Sequence, residues 1–340
     1  MNLILEKQTL QDLLQFWRQD YDVYLPQKLE RFSHFMPLTD NCEPVNNEPH
    51  NTRIPPKALF LPMTEALVKF TRYGGYEDAK HEIQSRVVFA VRPCDAQAVQ
   101  LLDTSFIQEE YTDPLWQEKR EKTITIGLGC HKTCPTGFCT TVGCGPFNKA
   151  GLDAILTDLG ADYLVETLTE KGSSLFLTLP EAQEQMVTMA EVIQQKAFNQ
   201  MPVAFETEYL KEKLEQNFDS EYWDNVSQSC LGCGVCTFLC PTCFCFDIVD
   251  ETQRRERVRN WDSCMFRTYS LEASGHNPRP SRVERTRQRI SHKYVYWLDQ
   301  INQIGCTGCG RCVRYCPVGL DIRAMLRQAQ TLPFEVSHAV

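Results

Sequence analysis

The sequence predicts two unlike parts: an α/β (or α+β) N-terminal domain over residues 1–224 and a mainly helical, cysteine-rich domain over 225–325, with 326–340 as a tail. Two observations predict them. Strand-like and helix-like segments alternate through the first part, and from about Tyr222 cysteine, glycine and arginine replace that alternation. At 340 residues the chain is long enough for one part to bury a full core of its own.

Taken in order, Leu10 to Tyr24 opens with a helical apolar face at Leu10, Leu13, Leu14 and Trp17. Asn41 to Pro56, with four prolines and several asparagines, reads as a loop. Val87 to Val91 reads as a buried strand that leads through Arg92-Pro93-Cys94-Asp95 into a helix over Ala96 to Leu102, with Asp95 as its cap. Thr123 to Leu128 is a second strand. Tyr163 to Leu168 and Ser174 to Leu179 suggest a hairpin around Lys171-Gly172, and Glu181 to Phe198 and Glu208 to Phe218 suggest helices.

The last third carries Cys230, Cys233, Cys236, Cys240-Pro241 and then Cys306, Cys309, Cys312, Cys316-Pro317. Each run reads C-x2-C-x2-C-x3-C-P, the spacing with which three thiolates of one loop hold a [4Fe–4S] cube while the fourth serves the other cube. Gly232, Gly234, Gly308 and Gly310 let the backbone wrap closely and turn amides toward the sulfurs. The fourth cysteine lies one helical turn further on and faces away from its own loop. The expected ligand sets are therefore Cys230, Cys233, Cys236 with Cys316, and Cys306, Cys309, Cys312 with Cys240. Structural zinc also uses C-x2-C pairs, but a zinc site needs four thiolates, whereas here each run supplies four and the pattern occurs twice. Sixty-five residues separate Cys240 from Cys306 and include arginine-rich stretches at Arg254 to Arg259 and Arg282 to Lys293, both read as helical. Such an insert favours a helical dicluster ferredoxin domain over a compact β-type one.

Nine of the seventeen cysteines lie outside the runs. Cys42 sits in the polar loop and has no expected role. Cys94 lies at a strand-to-helix corner, and Cys130, Cys134, Cys139 and Cys144 crowd the loop that follows the second strand, where α/β folds place ligands. A third iron–sulfur cluster bridging the two domains would draw on Cys94, Cys130, Cys139, Cys243, Cys245 and Cys264; the alternative is inert core thiols or a reactive one. No G-x-G-x-x-G follows a strand and no G-x4-G-K-[ST] occurs, so neither dinucleotide nor triphosphate fingerprint is present. His276 and His292 read as exposed or packing residues.

Net charge is −9. Residues 228–340 carry +5 and the first 227 carry −14, so the basic part is the cysteine-rich part, as anionic clusters require. An acidic chain argues against nucleic acid. The opening MNLILEKQTLQDLL has no secretory pattern, and so many cysteines then point to a reducing, cytoplasmic setting. No apolar run approaches the roughly 18 residues of a transmembrane segment.

Asn260-Trp261-Asp262-Ser263-Cys264-Met265-Phe266-Arg267, Gly275-His276-Asn277-Pro278-Arg279-Pro280 and the Cys240 to Cys245 run resemble the beta (iron–sulfur) subunit family of archaeal sulfhydrogenases, which is similar to the A-type subunit of anaerobic sulfite reductase. Pro55 to Phe60, Arg92 to Ala96 and Phe138-Cys139 extend the resemblance over nearly the whole chain. It implies an electron-transfer subunit that works beside a catalytic redox subunit of hydrogenase, sulfite reductase or heterodisulfide reductase type and beside a flavin- and NAD(P)-binding subunit. The six cysteines proposed for the third cluster match the family pattern, and Cys134 and Cys144 depart from it. Two other functions remain open: a terminal sulfur-substrate reductase with an open iron site in the first domain, and a scaffold whose extra thiolates hold zinc.

Overall fold

The computed structural model describes residues 1–29, 32–40 and 51–335. Cys42 and most of the proline-rich loop lie outside the described residues. Eleven strands are described: β1 (Asn2–Glu6), β2 (Asp22–Leu29), β3 (Phe32–Pro37), β4 (Thr64–Phe70), β5 (Tyr76–Asp78), β6 (Arg86–Val91), β7 (Thr123–Leu128), β8 (Ala154–Asp158), β9 (Asp162–Thr167), β10 (Phe246–Glu251) and β11 (Glu256–Trp261). Seven form one mixed sheet in the order β1-β9-β8-β7-β6-β2-β3. Its centre, β2, β6, β7 and β8, is parallel, and antiparallel strands flank it on both sides.

Every residue of β6 and β7 is buried, as parallel strands covered on both faces require. Leu14, Trp17, Val87, Phe89 and Ile126 pack on one face, and Val88, Val91, Ala96 and Ile155 on the other. The N-terminal part is thus the α/β layer, and β6 and β7 deliver their carboxyl ends, with Cys94 and Cys130 just beyond, to one edge. A second core joins Phe138, Phe205, Leu214 and Trp223 to Ile290, Tyr294, Ile322 and Leu326 around the cysteine runs.

Several local expectations are corrected. The first helix stops at Trp17, because Asp22–Leu29 extends as β2. The segment at 174–179 is no strand: β9 pairs instead with β8 and β1, and Glu170–Ser174 forms a helical turn capped by Thr169. Arg254 to Arg259 is not helical; β10 and β11 form a hairpin whose outer strand pairs with β4, giving a four-stranded sheet β10-β11-β4-β5. The alternation in β11 explains this, since Arg259 is buried against Glu65 and Asp113 while Arg257 meets exposed Asp250. By contrast Arg282–Ser291 is a helix, opened by a Ser281/Glu284 capping box, that continues through a π-helical turn at His292–Tyr296.

Asp95 does not cap its helix either. It lies in the first turn of Pro93–Phe106, where both carboxylate oxygens accept from the guanidinium of Arg311, at 2.5 and 2.8 Å. Both side chains are almost wholly buried, at 1% and 0% exposure. Removing one member of such a pair strands a buried charge, so Arg311→Met is expected to cost about 3–5 kcal/mol in anaerobic urea unfolding. The double variant with Asp95→Leu should recover most of it. A single-variant loss below about 1 kcal/mol, the scale of an exposed pair, would show that this contact does not join the two parts.

Candidate metal centres

The two cysteine runs fold as a structural repeat. Gly232, Gly234, Gly308 and Gly310 all take positive φ, between 64° and 75°. The first loop turns the Gly232 amide onto Cys230 Sγ at 3.4 Å, and the second turns Gly308 onto Cys306 Sγ at 3.4 Å. Short helices follow each loop, Val235–Phe238 and Arg311–Arg314, carrying Cys236 and Cys312. Beyond them, Cys316 Sγ accepts from the Leu320 amide at 3.2 Å and Cys240 Sγ lies 3.2 Å from Thr242 Oγ1.

Cys230, Cys233, Cys236 and Cys316 line one cavity, walled by Met265 and Ile322. Cys240, Cys306, Cys309 and Cys312 line a second, beneath Phe138. Cys312 and Arg289 line both. Arg289 is buried and its Nε has no hydrogen-bond partner among the described residues. Burial would lower it, yet the thiolates of Cys236 and Cys312 carry it well above its usual range. Lys293, on the π-helical turn, behaves alike: burial opposes its charge and Cys240, Cys243 and Cys306 restore it, while its ammonium donates to Thr242 Oγ1 and Gly305 O at 2.8 and 2.9 Å. No carboxylate lines either cavity. Buried cations facing thiols without an acidic partner are what anionic clusters need.

Burial pushes the Cys309 and Cys312 thiols up to about 12, so metal loading must displace their protons. Among the described residues no three cysteine, histidine or acidic donors converge as a single ion requires. A zinc site would gather its sulfurs at about 2.3 Å from one point, whereas a cube spreads them around a cage.

The six cysteines expected to share a third site fall in two places. Cys94, Cys130 and Cys139 line one cavity together with Cys134. Cys243, Cys245 and Cys264 do not line it: Cys243 contacts Cys240, and Cys245 contacts Cys264 and the Tyr269 hydroxyl. The contact with Cys264 draws Cys245 down to about 6. Cys144 is buried beside Cys139, whose carbonyl accepts from its amide at 2.9 Å. His292 packs among Phe244, Tyr296 and Trp297, and burial lowers it to about 4; His276 is exposed. Sequence reasoning passed over Lys57, which is buried, donates to Cys243 O at 2.5 Å and stacks over Trp261 at 4.2 Å. Burial takes it down to about 8, against the pull of Cys243 and Cys240. The signal available was its place in the Pro55 to Phe60 motif.

Residues 229–320 match the family model described as a 4Fe-4S dicluster domain. The chain is also 31% identical, over 285 residues, to sulfhydrogenase 2 subunit beta of Pyrococcus furiosus, an alignment covering 79% of this chain and 81% of that protein. The chain belongs to the sulfhydrogenase beta-subunit family. No solved structure matches it. As a member of that family with a dicluster domain, it is an iron–sulfur protein whose cofactors are two [4Fe–4S] clusters. The helical dicluster part and the mixed-sheet part agree with the expected fold class.

The second run leans on the first part through bare backbone. Phe138 N donates to Gly308 O at 2.8 Å, and a Cβ on Gly308 would stand 2.5 Å from the Phe138 carbonyl group. Gly319 shares the left-handed conformation, at φ 68°, with nothing within 4 Å. Gly319→Ala should therefore cost only the backbone term, about 1–2 kcal/mol. Gly308→Ala should cost about 1–3 kcal/mol more, because backbone must move. Equal denaturation midpoints for the two variants would refute this close approach.

Proposed function

We propose that this chain, in the cytoplasm, relays single electrons between a flavin- and NAD(P)-binding subunit, on one side, and a catalytic redox subunit on the other. Cys230, Cys233, Cys236 and Cys316 hold one cluster, and Cys240, Cys306, Cys309 and Cys312 the other. The observation that carries the reading is the shared wall: Cys312 and Arg289 border both four-cysteine cavities, so the two sites are immediate neighbours. Each cluster, when bound, takes up and gives back one electron. The chain's own residues set where and how easily. Phe138, Met265 and Ile322 exclude water, the Gly232, Gly308 and Leu320 amides favour negative sulfur, and Arg289 and Lys293 supply positive charge.

The two sites differ in exposure. Cys233 is exposed beside Leu231, which is 67% exposed, whereas Cys240 and Cys306 are buried. The first site is thus the contact point for a partner subunit, of hydrogenase, sulfite reductase or heterodisulfide reductase type. The relative's name, a beta subunit of a sulfhydrogenase, supports a multisubunit setting. No helix among the described residues is long and apolar enough to cross a membrane. In this reading residues 1–224 form the layer domain that presents the dicluster domain of 225–325.

The purified chain, reduced anaerobically with an artificial donor, should take up electrons into its clusters and consume no sulfite, polysulfide or protons. Steady turnover by the isolated chain would overturn the relay in favour of a terminal reductase. Arg289→Met should leave the iron content unchanged and lower the midpoint potential of at least one cluster by on the order of 50 mV, since a buried charge at this range is worth about 1–2 kcal/mol. Arg289→Lys should keep most of the wild-type value. Potentials that do not respond to either variant would remove Arg289 from the proposal.

A further inference from the structure

The carboxyl edge of the large sheet gathers thiols that a relay of two clusters does not use. Cys94 follows β6 and Cys130 follows β7, and these strands are parallel neighbours in register from Arg86 with Thr123 to Phe89 with Ile126. Cys134 and Cys139 come from the loop that leaves β7. Three backbone bonds shape this loop: Cys130 N to Pro146 O at 2.9 Å, Gly137 N to Cys134 O at 2.9 Å and Phe138 N to Gly308 O at 2.8 Å. The result is four thiols around one cavity.

The surroundings of this cavity repeat those of the two cluster cavities. Lys132 lines it and Arg92 stands against Cys130, held by the carbonyls of Leu128 and Gly129 at 3.4 and 3.1 Å. No carboxylate lines it, and Asp95, the acid adjoining Cys94, is engaged by Arg311. Asn51 Nδ2 approaches Cys94 Sγ at 3.8 Å and donates to Cys309 O at 2.9 Å. Cys309 therefore belongs to two cavities, as Cys312 does. The three cavities form a row in which each shares a cysteine with the next.

Core packing does not account for these thiols, because all four are only half-buried and line a space rather than fill one. A single zinc ion would need donors that converge, and among the described residues none do. We infer that Cys94, Cys130, Cys134 and Cys139 hold a third iron–sulfur cluster next to the second, which rests on the relay reading and extends it to a third station. The added step is one-electron exchange with the second cluster, one oxidised as the other is reduced, with no bond made and no proton moved. Gly145 and Pro146 also line an open groove against the helix Glu184–Asn199. The row thus runs from the surface at Leu231 to a second surface near Phe198, which is 51% exposed.

The test is anaerobic iron, acid-labile sulfide and zinc content with reduced-state EPR on the full chain and on Cys130→Ala/Cys139→Ala. Three four-thiolate sites predict about twelve irons, or about ten if the third is a [2Fe–2S] group, falling to about eight in the double variant with two clusters still visible by EPR. About eight irons in the wild type, or stoichiometric zinc, would overturn the third site and leave the relay standing. An undiminished count in the double variant would also overturn it. Far fewer than eight irons in the wild type would instead overturn the two-cluster assignment on which the relay rests. If the double variant does not fold, Cys134→Ala carries the same comparison: loss of the extra signal supports the site and an unchanged spectrum refutes it.

Discussion

The buried pair between Arg311 and Asp95 is the contact on which the rest of the arrangement depends. Arg311 stands between Cys309 and Cys312, and Asp95 directly follows Cys94, so one fork-to-fork contact fixes the second cysteine run against the edge of the sheet. The guanidinium also donates to Thr52 O at 2.7 Å, which engages most of its donors in a place without water. An electron relay needs fixed spacing more than strong binding, and a bidentate pair supplies direction as well as energy. The close approach of Gly308 to Phe138 acts on the same seam, since a side chain there would hold the two parts apart.

Charge in the cysteine-rich part is more selective than its net value suggests. Arg257 is paired with Asp250, Arg259 with Glu65 and Asp113, Arg287 with Asp219, and Arg323 with Asp321. These arginines are answered by acids and hold the fold. Arg289, Lys293 and Lys57 face thiols instead, and are buried. Three desolvated cations against cysteine sulfur would be costly if the sulfur stayed neutral. Their presence follows if the thiols bind anionic clusters, and the local excess of positive charge has its physical reason at these few positions.

What can be read from the sequence is what is local in it. The cysteine spacing, the glycines between the cysteines and the two buried strands β6 and β7 each follow from residues within a few positions of one another. Sequence reasoning fails where distant chain decides. Arg254 to Arg259 suits a helix or a strand by itself, and Glu65 and Asp113, more than a hundred residues away, make it a strand. The segment at 174–179 loses its expected pairing because β1, from the other end of the domain, takes the free edge of β9. Cys134 departs from the family pattern, although its C-x3-C-x4-C company with Cys130 and Cys139 is legible. Only the adjacency of β6 and β7 brings Cys94 to that loop.

That adjacency links fold to chemistry. A parallel sheet sends successive strands out at the same edge, so loops far apart in sequence emerge side by side. Here two of them, after β6 and β7, deliver thiols, and the third wall of the space is the backbone of Gly308 and Cys309 from the second cysteine run. The sheet is therefore more than a platform for the dicluster part: its edge and the cysteine repeat complete a single cavity that neither encloses alone. The shared cysteines, Cys312 between the first two cavities and Cys309 between the second and third, keep each site one residue's width from the next. A path of this kind needs no moving part, and its direction is left to the potentials that Arg289, Lys293 and the cations at the sheet edge impose.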